Sequence, residues 1–290
     1  MCIKQKFYFK TQDMIKLIGI SGKSQNGKNL TANIIQYLTS KEPYQVSLEE
    51  YLASSWLHTS ENNNWQVKSF AYKLKQIVSL LTGIPVQDLE KEEVKQSKLP
   101  VEWLCWKLSF IADHNDFDRL IWKMFSTEDE ARTYMDETYI IGGKLEQYLP
   151  TYRELLQILG TDLLRNQLHP DVWVNALFSD YRELYMNNPW YNDKDIFSVS
   201  ELDELIHKPE YPNWVIPDVR FINECQAIEQ RGGIVVRVER LGLESKSTHI
   251  SETELDNHVF AYTLFNDKDI PYLVGQVKAM LKQFKIPYND

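Results

Sequence analysis

Seven residues near the amino terminus, Gly22, Lys23, Ser24, Gln25, Asn26, Gly27 and Lys28, have the types and spacing of a phosphate-holding loop. In the pattern G-x-x-x-x-G-K, successive backbone N–H groups wrap a nucleotide's phosphates while the lysine reaches the β and γ oxygens. The glycines are required because the backbone turns tightly and approaches the phosphate with no Cβ in the way. Asn29 stands where a Ser or Thr hydroxyl would ligate Mg²⁺, and its amide is a neutral, bulkier substitute. Thr31, two residues further along, is expected to point elsewhere.

Further along the chain are residues suited to anionic substrates. Arg153 and Gln157 are four apart and share a helix face, Arg165 follows, and Gly160 between them allows a close approach by a ligand or a neighbouring backbone. Asp218 and Arg220 stand two apart at the end of an apolar run, so in extended backbone both project to one side. A carboxylate at a strand end is where a phosphoryl-transfer enzyme places the group that holds Mg²⁺ or its water shell. Arg240 opens a polar stretch, LGLESKSTHISETELDNH, with the composition of a loop that closes over a nucleotide, and His249 lies within it. Taken singly, each arginine also reads as a solvated surface charge, and Asp218 as an N-cap for a helix beginning near Phe221.

The elements that must position these residues follow from hydrophobic period. Ile15, Leu17, Ile18 and Ile20 form a short β-branched run suited to a buried parallel strand. Leu30, Ile34, Ile35 and Leu38 then repeat at helical spacing, so the loop's phosphates would meet a helix N-terminus. Trp65–Ala71 reads as a second strand, with an amphipathic helix after it that stops at Gly83 and Pro85. Thr151 and Glu154 form a capping box ahead of a stripe of Leu155, Leu156, Leu159, Leu163 and Leu164. Val172–Tyr185 resumes as helix. Trp214–Ile216 and Ile234–Val238 read as buried strands on either side of a helix closed by Gly232 and Gly233. A short strand, Tyr262–Phe265, and a terminal helix, Ile270–Phe284, complete the pattern. Alternating strands and helices imply a three-layer α/β fold with a parallel sheet of about five strands flanked by helices. Residues 1–13 read as an extension, residues 14–290 as one domain, 86–150 as a helical insertion and 240–258 as a lid.

The composition of the 290 residues, 43% hydrophobic and 25% charged, is that of an ordinary globular protein. A net charge of −9 argues against binding to nucleic-acid polymers, which favours a basic balance. No apolar run reaches the length a membrane span requires, and the first residues lack a signal-peptide pattern, so a cytoplasmic protein is expected. Cys2, Cys105 and Cys225 have no paired spacing and read as reduced thiols. A homodimer is compatible with the sequence.

Several stretches together resemble the bacteriophage deoxynucleoside monophosphate kinases of the P-loop kinase superfamily: LIGISGKSQNGKNLTA, SFAYKLK, RELLQILGTDLLR with HPDVWV, WVIPDVRFINECQAIEQRGGIVVRVER and HISETELD. They keep family order from residue 15 to about residue 266. Where the family has an acidic residue and then a threonine after the loop lysine, this chain has Asn29 and Leu30. The resemblance implies transfer of the ATP γ-phosphoryl group, with Mg²⁺, to the 5′-phosphate of a deoxynucleoside monophosphate, in the host cytoplasm if phage-encoded. It implies that Gly22 to Asn29 hold ATP, with Lys28 following charge onto the transferring group, and that Asp218 serves Mg²⁺. Arg153, Arg165 and Arg220 would clamp the acceptor phosphate, Arg240 would reach the transition state from the lid, and Phe70, Gln157 and Trp173 would line the acceptor base. Two other readings share the loop: a kinase of another small acceptor, such as dephospho-coenzyme A, and a nucleotide-binding protein that has lost catalysis, for which Asn29 is the motive.

Overall fold

The structure is a computed structural model and describes residues 14–114, 117–140, 142–182, 210–240, 242 and 253–289. In chain order these form β1 (Leu17–Ser21), α1 (Lys28–Leu38), α2 (Leu48–Ala53), β2 (Trp65–Val67), α3 (Phe70–Thr82) and α4 (Glu92–Gln96). Next come β3 (Cys105–His114), β4 (Phe117–Phe125), α5 (Glu128–Glu137), β5 (Lys144–Tyr148) and α6 (Tyr152–Gln157), which runs into a π-helix (Ile158–Leu168). The chain finishes with α7 (Val172–Phe178), β6 (Asn213–Val219), α8 (Ile222–Glu229), β7 (Ile234–Glu239), β8 (Tyr262–Phe265) and α9 (Ile270–Gln283). Two compact units result, Met1–Lys73 with Asp171–Asp290, and Leu74–Pro170.

In the first unit a five-stranded parallel sheet has the order β2-β6-β1-β7-β8. Its middle strand is buried along its whole length, as a strand covered on both faces must be, and this accounts for the unbroken run Leu17–Ser21. Ile18, Ile20, Val215, Val236 and Val238 form one core with Ile34, Ile35 and Leu38 of α1 and Leu273, Val277 and Met280 of α9. Cys225 and Ile228 of α8 are fully buried as well. The register pairs Ser21 with Val219 on one side and Arg237 on the other, so β1 and β6 end level and β7 runs two residues further in the same direction. The loops that leave those three ends therefore share one edge of the sheet, the edge where open parallel sheets place ligands.

The second unit corrects the expected helical insertion. Residues 105–148 are built on an antiparallel sheet ordered β4-β3-β5, with α5 after β4. Trp106, Leu108 and Phe110 alternate with Cys105, Lys107 and Ser109, and Leu108 is completely buried. This two-residue period fits a strand with one covered face, and the spacing of the tryptophans hid it. Two other elements are shorter than expected. The strand predicted over Trp65–Ala71 stops at Val67, and α3 starts at Phe70. The helix predicted over Val172–Tyr185 ends at Phe178. Residues 1–13 and most of the expected lid, namely 241 and 243–252 with His249, lie outside the described residues.

Candidate active site

The loop after β1 is bent at positions only glycine tolerates well. Gly27 has φ 94° and a Cβ there would collide with Asn266, while a Cβ on Gly22 would sit 2.5 Å from the Val238 carbonyl oxygen. Between them Gln25 also takes a positive φ of 64°. Asn26 is 4% exposed and locks the turn to the sheet: its Nδ2 donates to the Val238 carbonyl at 3.0 Å, and its own carbonyl accepts from Asn266 Nδ2 at 2.9 Å. Lys28 Nζ donates to the carbonyls of Gly22 at 2.6 Å and Lys23 at 2.8 Å, which curls the ammonium over the loop. Asn29 is exposed on the first turn of α1. Thr31 is fully buried, and its hydroxyl donates to the Gly27 carbonyl at 3.0 Å, so it points into the protein as the sequence suggests.

Asp218 lies at the end of β6, and its carboxylate accepts three hydrogen bonds: from Ser69 Oγ at 2.7 Å, Phe70 N at 3.1 Å and Ala71 N at 2.8 Å. It caps a helix, but the helix is α3 and not the one that begins near Phe221. The cap also explains why β2 is short, because an anion at the free N–H groups of residues 70 and 71 favours helix there. Two residues on, the Arg220 backbone N–H donates to Glu224 Oε2 at 2.8 Å, which fixes the turn into α8. Arg240 follows β7 and is exposed. The sheet thus brings Gly22–Lys28, Asp218, Arg220 and Arg240 to its shared edge. Phe70 and Trp173 are 4% and 6% exposed, and the Phe70 ring packs against Phe178 at 6.3 Å, so both are core side chains and not the exposed lining expected for the acceptor base.

Arg153, Gln157 and Arg165 belong to the second unit, along one continuous helix. Arg153 Nη2 pairs with Glu92, Gln157 is exposed at the last position of α6, and Arg165 Nη1 donates to the Pro170 carbonyl at 3.4 Å. The capping box of α6 is complete, with Glu154 accepting from the Thr151 N–H at 2.8 Å and Thr151 Oγ accepting from the Glu154 N–H at 3.2 Å. Burial pushes the Tyr148 hydroxyl up to about 12, helped by its hydrogen bond to Glu154. Burial would raise the Glu154 carboxyl too, but that hydrogen bond and those from Thr151 outweigh it and hold the group below the ordinary carboxylate range.

Sequence reasoning missed Arg237. It is 8% exposed on β7, with Nη1 3.4 Å from Ser21 Oγ, Nη2 3.5 Å from Asp256 Oδ1 and its guanidinium 5.2 Å from the centre of the Phe260 ring. The same Asp256 pairs with Lys23 of the loop. The signal was an arginine inside an otherwise apolar strand, a residue type almost never buried unless paired.

A family model described as deoxynucleotide monophosphate kinase matches residues 16–277, and so takes in the loop, Asp218, Arg237 and the helix that bears Arg153 and Arg165. The chain belongs to the deoxynucleotide monophosphate kinase family. It is 22% identical over 278 residues to the deoxynucleotide monophosphate kinase of Enterobacteria phage T4, covering 92% of this chain and 99% of that one. The enzyme of the same name from Escherichia phage RB69 is 22% identical over 280 residues, covering 92% and 100%. A protein of Acanthamoeba polyphaga mimivirus, provisionally named for the same activity, is 32% identical over 186 residues, covering 61% and 77%. For a kinase of this family the described residues hold no cluster of three or more His, Cys, Asp or Glu side chains that could grip a metal ion by themselves. No described helix is long and apolar enough to cross a membrane.

Proposed function

We propose that this protein transfers the γ-phosphoryl group of ATP to the 5′-phosphate of a deoxynucleoside monophosphate, giving the diphosphate and ADP. The observation that carries this reading is the loop Gly22–Lys28, turned on two positive-φ glycines with the Lys28 ammonium curled over it and a helix N-terminus behind it. In this reading the N–H groups of Lys23, Ser24, Gln25, Asn26, Gly27, Lys28 and Asn29 bind the ATP phosphates, and Lys28 exchanges its carbonyl partners for the β and γ oxygens. Phosphoryl transfer asks for alignment and positive charge more than for covalent chemistry, and Arg220 and Arg240 add cations at the same edge of the sheet. Arg153 and Arg165 clamp the acceptor phosphate and Gln157 reads its base.

Mg²⁺, when bound, neutralises the triphosphate and polarises the moving group. Asp218 fits it through water: a carboxylate offers about four acceptor positions, three of which hold α3, and the remaining one can order a coordinated water. The exposed amide of Asn29 is a second partner for such a water. The protein works on small nucleotides in the cytoplasm, as a monomer or a homodimer.

Lys28→Ala tests the reading. Turnover of monophosphate should fall by about 100-fold or more, with the far-ultraviolet circular dichroism and melting temperature unchanged. Wild-type turnover by that variant would remove the loop from the mechanism.

A further inference from the structure

The helix that carries Arg153 changes its winding part-way along. Residues 152–157 are α-helical, but Ile158–Leu168 form a π-helix, closed by the His169 N–H donating to the Leu164 carbonyl five residues back at 3.0 Å. In α winding, at about 100° per residue, Arg165 would stand about 120° around the axis from Arg153. Winding of the i→i+5 type advances only about 80–85° per residue, which returns Arg165 to within about 20° of Arg153. The same change moves Thr161 onto that face beside Gln157. It also keeps Leu164 on the apolar side with Leu155 and Gly160, whereas α winding would turn this leucine toward the arginines. Leu155 and Gly160 are buried in the structure, and a Cβ on Gly160 would lie 2.7 Å from Leu74 Cδ2, so the apolar side is closely covered where the π segment begins.

Resting on the kinase reading above, we infer that the π-helix is the device that sets the acceptor site. It aligns Arg153, Gln157, Thr161 and Arg165 on one face, where the two guanidinium groups converge on the acceptor's phosphate and Thr161 is a further residue that contacts it. The two Cα atoms lie less than about 18 Å apart along the axis, within the joint reach of two long side chains and the phosphate between them. Arg153 is prepared for this role. Its pair with Glu92 is exposed and so weakly held, and its Nε is buried with no acceptor. A phosphate monoester, with a charge of about −1.5 to −2, is the stronger partner.

Relocating the arginine tests the winding, read by calorimetric binding of a deoxynucleoside monophosphate and not by turnover. Arg153→Ala and Arg165→Ala should each weaken that binding about tenfold or more and leave ATP binding within about twofold. In the Arg165→Ala background, Thr161→Arg should recover most of the loss and Gln167→Arg none, because π winding puts position 167 on the far side and α winding would bring it to the near one. Wild-type affinity in Arg165→Ala, recovery by Gln167→Arg, or recovery by neither overturns the inference. Because binding is the readout, a chain that binds the monophosphate through this face but does not phosphorylate it would end the kinase reading alone.

Discussion

Asp218 shows how one side chain joins distant parts of the sequence. Its three donors come from residues 147–149 positions away, and two of them are free N–H groups at the start of α3. An ionised acceptor at a helix N-terminus satisfies groups that would otherwise be unpaired and complements the helix dipole. Asp218→Asn keeps the size but replaces one carboxylate oxygen by a donor facing other donors. Loss of about 1–3 kcal/mol of stability is expected in urea unfolding, together with slower turnover. Unchanged stability would show that the cap carries no weight. At the same scale, burial pushes the Cys225 thiol up to about 12, so it stays protonated at neutral pH and is inert as a nucleophile.

The helices gain their starts from local chemistry, and α6 shows it best. The Glu154 carboxylate, held below its ordinary range, contributes stability above the unfolded carboxylate's pKa, and that contribution is lost as pH falls through the folded value. Acidification below about pH 4 should therefore lower the protection of the Thr151 and Glu154 amides, read as exchange relative to an unstructured chain at the same pH. Glu154→Gln should show that lower protection already at neutral pH and a flatter response of protection to acid, and equal protection in both proteins at both pH values would contradict the assignment. Capping boxes of this kind are legible because their partners lie three residues apart, as at Ser47 with Glu50 and Thr127 with Glu130. β1, the loop and α1 were legible for the same reason, since apolar period and glycine spacing are local. What stayed hidden depends on partners far along the chain. Ala71 scans as strand until Asp218 caps α3, and the leucines after Thr151 fit α spacing until Leu164 must share a side with Leu155. Arg237 was legible in principle, but its partner Asp256 lies on another segment.

At the scale of the molecule, one parallel sheet gathers a phosphate loop, a capping carboxylate and two arginines at a common edge, while a separate unit carries a helix with two more arginines. Neither set needs reactive side chains, which suits a reaction governed by alignment and charge. The matching family model is described as deoxynucleotide monophosphate kinase, so deoxynucleoside monophosphates are the acceptors to test. The decisive measurement is nucleoside diphosphate formation by the purified protein from ATP, Mg²⁺ and each deoxynucleoside monophosphate in turn, followed by separation of the products. The account predicts that at least one deoxynucleoside monophosphate is converted stoichiometrically to its diphosphate as ADP appears. ATP binding with no monophosphate consumed, or phosphorylation of dephospho-coenzyme A instead, would contradict it.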